Sequence, residues 1–313
     1  MKKIFILLIV VLLIGCESNK DSLLIMVPSG IPLIAVGSFL KEDNIEITDV
    51  NNPSLLTAAM TSKSHDIVVA PLNLGIKAYN LGDSSYQLAG ILTFGNSYII
   101  TRETHPLSNV TDLEGTNILA YGQNSIPDIA LKTVLQDSNI NAQIDYQANI
   151  NLVVPFFISN TNNPNDESNA EYLYIMAAEP IISMLEIKYH LNLRLLDLQE
   201  ELKTRIEHLP QAAVFVNSRS SKQDEISEFL NSLIVATNMI NEDPEQYAKS
   251  IFNNHPYFES LTLEVLQRSL PRSQIAFEII TSESTLIHNY YQFMMNYDAQ
   301  MTGNALLDQG FYR

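Results

Sequence analysis

The sequence predicts an α/β protein of two lobes. Three observations lead there. Short apolar runs that end in turn residues alternate with capped helical stretches, a βα pattern that argues for parallel sheets with ligand sites at the carboxyl ends of the strands. Of the 313 residues nearly 300 remain after an apolar leader, too many for one ordinary domain. No internal repeat is visible, and the one low-complexity stretch, residues 160–169, is rich in Asn, Asp and Pro and is expected to be an exposed loop.

The elements follow in order. Residues 23–27 are an apolar run closed by Pro28-Ser29-Gly30, a strand entering a turn, and Pro32 suits the first turn of a helix through about Leu40. Residues 45–50 alternate as a strand, and Asn52-Pro53 offers an N-cap with Pro at the first helical position for a helix to Lys63. Residues 66–70 form a buried-type strand, followed by Pro71-Leu72-Asn73 and a helix that stops at Gly82. Strands over 87–92 and 98–101 flank Thr93-Phe94-Gly95-Asn96. Residues 118–121 are another strand, and Ser125-Ile126-Pro127-Asp128 has the spacing of a capping box opening a helix. Residues 171–177 lead into Glu179-Pro180 and a further helix, 212–216 are a strand, and the rest is expected to be mostly helical.

The start of the chain has its own logic. Lys2 and Lys3 precede eleven unbroken apolar residues, 4–14. A membrane-spanning helix needs about 20, so the run fits a secretory signal instead. Leu13-Ile14-Gly15-Cys16 resembles the lipobox of bacterial lipoproteins, in which the cysteine is acylated and becomes the first residue. The expectation is a signal peptide over 1–15, lipidation of Cys16 and a short polar tether over 16–22. Acyl chains at roughly 0.8 kcal/mol per buried CH2 would then hold the protein on the extracytoplasmic face of a membrane. Processing leaves 16 basic against 35 acidic residues, a net charge of −19. That balance argues against nucleic acid and against a polybasic membrane face. Cys16 is the sole cysteine, so no disulfide framework and no thiolate metal site can form.

Six segments, taken in order, resemble a known family: "VPSGIPLIAV", "DIVVAPLNLGIKAYN", "YQLAGILTFGNSYIITRE", "DLEGTNILAYGQNSIPDIALKTVL", "EYLYIMAAEP" and "LPRSQIAFEIITSES". They are similar to substrate-binding lipoproteins of ABC importers, in the branch of nitrate, alkanesulfonate, taurine and thiamine-pyrimidine receptors. The resemblance implies a type II periplasmic-binding-protein fold: two lobes, each a mixed sheet flanked by helices, joined by two crossovers around an enclosed ligand. It implies a first lobe of residues 23–97 plus 212–313 and a second of 98–211. It also implies a monomer that needs no cofactor, whose partners are a small-molecule ligand, an ABC permease and its ATPase. Its ligand-binding candidates are the turns at strand ends: Ser29 and Gly30; Leu72 and Asn73; Thr93, Phe94, Gly95 and Asn96 with Tyr98; Gly122, Gln123, Asn124 and Ser125; and Glu179. Taken singly, Ser29, Asn73 and Ser125 are also explained as helix caps, and Gly30, Gly95 and Gly122 as turn residues. The convergence of five turns on one crevice is what marks them.

The chemistry of these turns is amide, hydroxyl and aromatic, with no Arg or Lys. An α-amino-acid receptor wants a bidentate Arg for the carboxylate, so amino acids are disfavoured. An oxyanion or sulfonate could use the N–H groups of the helix N-termini. A heteroaromatic vitamin precursor could stack on Tyr98 or Phe94, bond Asn73 or Asn96, and present an amino group to Glu179. Arg272, in "LPRSQIAF", is the cation the fold could bring to the cleft mouth. No Gly-x-Ser-x-Gly elbow, His-Glu-x-x-His, Walker loop or Gly-x-Gly-x-x-Gly occurs, and the six histidines are scattered outside these turns, so neither catalysis nor a metal site is expected. The alternative is an enzyme or sensor lipoprotein of vitamin or menaquinone metabolism on the same fold.

Overall fold

The computed structural model describes residues 22–82, 85–158, 171–303 and 305–313. The leader, Cys16 with its tether up to residue 21, and the loop expected over 160–169 lie outside the described residues.

The chain runs β1 (Leu23–Pro28), α1 (Ile31–Ala35), β2 (Ile45–Val50), α2 (Pro53–Ser62), β3 (Ile67–Pro71), α3 (Leu72–Asn80) and β4 (Tyr86–Thr93). It continues through β5 (Tyr98–Arg102), β6 (Asn117–Tyr121), α4 (Ile126–Asp137), β7 (Gln143–Gln147), α5 (Ile150–Phe157), β8 (Tyr174–Ala177), α6 (Ile181–Lys188), β9 (Leu193–Asp197) and α7 (Leu198–Glu201). It closes with β10 (Ala212–Asn217), α8 (Gln223–Glu242), α9 (Pro244–Ile251), α10 (Pro256–Leu261), α11 (Leu263–Ser269), β11 (Ile275–Ile279) and α12 (Thr285–Asp298).

Two sheets result, ordered β11-β4-β10-β3-β1-β2 and β7-β6-β8-β5-β9. Both are mixed, not parallel as the βα alternation alone suggests. Each keeps a parallel βαβ core, β2-β1-β3 and β7-β6-β8. The strand that enters each lobe from the other runs antiparallel to both its neighbours: β5 between β8 and β9, and β10 between β3 and β4. Strands covered on both faces are continuous apolar runs, as β10 shows with all six residues buried. The edge strand β2 alternates instead.

Three apolar clusters fill the molecule. One covers a face of the first sheet with α1 and α8–α11. Another lies between the second sheet and α5 and α6. The third is continuous through both lobes, with members from α2, α3, α12 and α4 and including Phe94 and Leu198.

The first helix is shorter than expected. It gives way after Ala35 to a 3₁₀ turn over Gly37–Lys41, where Gly37 lies against the Ile251 side chain. Asn52 caps α2 as its sequence suggests, its side chain accepting from the Ser54 N–H at 3.0 Å. The fit of α3 onto the first sheet turns on Gly75, where any Cβ would enter the van der Waals surface of the buried Phe215 ring on β10. Gly75→Ala should cost about 1–3 kcal/mol through overpacking, read as a lower urea midpoint. The deficit should shrink in a Phe215→Leu background; an equal deficit there would mean Phe215 is not the obstacle.

Candidate functional site

The two passes of chain between the lobes run side by side. Gly95 N–H donates to the Leu209 carbonyl at 3.0 Å and Gln211 N–H to the Thr93 carbonyl at 2.9 Å, with a bridge between Phe94 and Pro210. The Gln211 amide nitrogen also donates to the Gly95 carbonyl and, at 3.2 Å, to Ser97 Oγ. The first pass turns sharply at Asn96, whose φ of 57° lies in the left-handed region that Asn tolerates.

Around this double crossing the strand ends enclose a cavity of about 350 Å³. The first lobe contributes Pro28 from the end of β1, Ile31 and Pro32, Pro53, and Pro71, Asn73 and Leu74. The crossovers add Thr93, Asn96, Gln211 and Ala212, and the second lobe adds Ser125, Ile126 and Pro127. Three larger grooves involve neither crossover: two of about 570 and 970 Å³ along α12, and one of about 520 Å³ between α6, β9 and α11.

Of the residues expected from sequence, Asn73, Thr93, Asn96 and Ser125 line the cavity. The others sit around it with other duties. Ser29 Oγ donates to Asp49 Oδ2 at 2.5 Å, and Gly30 turns the chain at φ 100°. Leu72 is in the core, its N–H donating to the Gln211 carbonyl at 2.9 Å. Phe94 is buried with its ring edge-on to His208, and Gly95 packs on Gln199. Tyr98 is buried and its hydroxyl donates to the Arg272 carbonyl at 3.2 Å. Gly122, Gln123 and Asn124 form the turn ahead of α4, with Gln123 and Asn124 exposed. Glu179 is buried at the N-terminus of the second lobe's helix α6.

The capping box expected at Ser125 is not the one formed. Ser125 Oγ is buried without a partner, and Asp128 reaches one residue further back, its Oδ2 accepting from Asn124 N–H at 2.7 Å. Asp128 is fully buried and also takes Lys132 Nζ at 2.8 Å and the Tyr146 hydroxyl at 2.7 Å. Sequence reasoning passed over Gln211 and the prolines. Their signal was present: a proline stands at each strand-to-helix turn that lines the cavity.

An ion cluster spans the lobes. Arg272, following α11, reaches α6: its Nη1 and Nη2 bond Glu186 at 3.2 and 2.7 Å, and Nη2 bonds Ser183 Oγ at 3.1 Å. Its Nε lies 2.5 Å from Glu179 Oε1, a close ionic contact that is not aligned as a hydrogen bond. Glu179 Oε2 accepts from Ser183 N–H at 3.0 Å. Burial pushes the Glu179 carboxyl above its ordinary range, more than Arg272 pulls it down. Burial also pushes Glu186 up, but there Arg272 and Arg268 outweigh it and hold the carboxyl below its usual value. Asn96 joins this cluster to the crossover, accepting from Glu179 N–H at 2.8 Å and donating to the Glu179 carbonyl at 3.4 Å. Among the described residues no group of His, Cys, Asp and Glu side chains could hold a metal ion.

No protein-family model and no curated protein sequence matches the chain. Solved structures do. An ABC transporter protein of Parabacteroides distasonis superposes with TM-score 0.73 at 20% identity, covering 94% of this chain and 99% of that one. The periplasmic aliphatic sulphonate binding protein of Escherichia coli gives 0.69 at 15% identity, covering 94% and 92%. The alkanesulfonate-binding protein of Xanthomonas axonopodis pv. citri, bound to MOPS, gives 0.62 at 17%, covering 92% and 95%. The chain therefore has the two-lobe periplasmic-binding-protein fold.

The ion cluster makes a direct prediction. Arg272→Ala leaves the Glu179 carboxylate buried without its counter-ion. The loss should be roughly 2–4 kcal/mol, below the range for a wholly dry pair because the Arg272 side chain keeps 27% exposure. Glu179 has a raised folded pKa, so protonation favours the folded state; the variant's deficit should be largest near neutral pH and shrink as pH falls through that raised value. Denaturation of both proteins between pH 4 and about 8 checks it; a deficit that grows on acidification would refute the assignment.

Proposed function

We propose that the chain is an extracytoplasmic, lipid-anchored receptor that carries a small-molecule ligand to an ABC import permease and closes on it by a hinge at the two crossovers. One observation carries this reading: the cavity at the double crossing takes walls from both lobes and a floor from both crossovers. A ligand there contacts everything that moves when the lobes rotate, and can select the closed arrangement by its differential contacts.

The chemistry of the walls supports binding over catalysis. Prolines, aliphatics, amides and hydroxyls hold and orient a molecule; none of the lining residues is an acid or base able to move a proton near neutral pH. The fold neighbours point the same way, one being an ABC transporter protein and others binding sulfonates. The anchor fits the geometry as well. Ser22 immediately precedes β1 at the end away from the cavity, about 20 Å from Pro28 at strand spacing, and Lys222 Nζ holds the Ser22 carbonyl at 2.5 Å. A tether leaving there keeps the cleft clear of the lipid surface. No helix among the described residues is long and apolar enough to cross a membrane.

Two measurements test the reading. A saturating ligand should reduce the radius of gyration in X-ray scattering, and an unchanged curve with a tightly bound ligand would refute hinge closure. Cys16→Ser should abolish lipid labelling and either release the protein from membranes or leave the precursor unprocessed. A mature-sized variant that stays membrane-bound would end the lipoprotein assignment.

A further inference from the structure

We infer that the cleft takes an uncharged, largely apolar heterocycle with a hydrogen-bonding edge, and that its walls are built against oxyanions. The inference rests on the receptor reading above and narrows it.

The N-terminal turns of α1, α2, α3 and α4 all line the cavity. In a strand-to-helix cleft such turns ordinarily favour anions, because first-turn N–H groups are unpaired and the helix dipole is positive there. Here each carries a proline: Pro32 in α1, Pro53 in α2, Pro71 capping α3 and Pro127 in α4. Every one of the four lines the cavity. A proline costs a helix start little, since its missing N–H would be an orphan anyway. It costs an anion site a donor and puts ring methylenes in its place.

Three of the neighbouring donors in α2 and α3 are engaged as well. In α2 the Ser54 N–H goes to Asn52 Oδ1 and the Leu55 N–H to the Asn52 carbonyl, both at 3.0 Å. In α3 the Leu72 N–H is taken by Gln211. In α4 the buried first-turn carboxylate of Asp128 takes the Asn124 N–H at 2.7 Å and already answers the positive end of the helix.

No Lys or Arg lines the cavity. Lys132 is held by Asp128 at 2.8 Å, and Arg272 by Glu179 and Glu186; neither lines the cavity. An oxyanion would give up its hydration for ring methylenes.

The polar capacity that remains is neutral and two-sided. The Asn73 amide has no partner among the described residues. Thr93 Oγ1 accepts from Ala212 N–H at 3.1 Å and keeps its own proton to donate. Gln211 spends its nitrogen on the crossover, leaving its carbonyl oxygen to accept. Ser125 Oγ is buried and unpartnered. Donors and acceptors side by side between proline rings match a flat neutral ring with an adjacent N–H and C=O.

The test sets two classes of probe against the whole processed chain by thermal shift and calorimetry. Uracil, nicotinamide and benzamide form the neutral set; nitrate, methanesulfonate and MOPS form the anionic set, each at low and high salt. Neutral members should stabilise the protein and anions should not. Asn73→Ala should weaken the best neutral probe about 5- to 150-fold, the effect of one unsatisfied buried partner, with the unliganded melting temperature unchanged. Asn73→Lys should gain methanesulfonate binding that falls as salt rises. Anion binding by the wild-type chain, or a neutral set that never binds, overturns the inference. A neutral probe that binds without compaction refutes hinge closure and leaves the ligand class standing.

Discussion

The constraint on which the structure depends is that the chain passes between its two lobes twice, and the two passes are tied together. The backbone pairing of Gly95 with Leu209 and of Thr93 with Gln211 makes one narrow two-stranded joint. The entering strands β5 and β10 lie antiparallel to both neighbours inside their sheets, so the joint is anchored at the centre of the first sheet and near the edge of the second. The carboxyl ends of the parallel strands then face one another across it. The cleft is thus a consequence of topology before it is a matter of side chains.

Charge and apolar packing divide the work of joining the lobes. The continuous cluster through Phe94, Leu198 and α12 gives a non-directional attraction that tolerates small rotations. The Arg272 cluster is directional: one guanidinium serves two carboxylates and a hydroxyl on α6. Desolvating these groups costs several kcal/mol per ion, and their mutual attraction approximately offsets it only in good geometry. Their contribution is therefore to specify one relative placement of α6 and α11 more than to add net stability.

Much of this was legible in the sequence, and the exceptions have physical causes. The central strands were found because burial on both faces makes them continuous apolar runs. The strands β7, β9 and β11 were missed: "QIDYQ" and "LRLLD" are edge strands with mixed faces, and "IAFEI" sits within a long stretch of helices. The turns that form the cavity were located, but a turn residue can face the cavity or the scaffold, and its sequence does not distinguish the two. Ser29 faces Asp49 and Tyr98 the Arg272 backbone because partners distant in sequence claim them. Arg272 is legible in the sequence as a cation near the mouth; that it is consumed by Glu179 and Glu186 depends on the docking of α6 on α11, a long-range contact with no local pattern.

Asn96 shows how the joint and the cleft come to be one device. The residue lines the cavity, while its side-chain amide grips both backbone polar atoms of Glu179, the residue that carries the buried carboxylate. The same residue makes the left-handed turn of the first crossover. A molecule in the cavity therefore touches a group bonded at once to the hinge and to the ion cluster. A displacement of Asn96 that kept both bonds to Glu179 would have to carry the start of α6 with it. One that broke them would leave the Asn96 amide and the Glu179 backbone unsatisfied, at about 1–3 kcal/mol for each group left unpaired. Small shifts at the crossover are for that reason transmitted to α6, because the alternative arrangement is the costlier one.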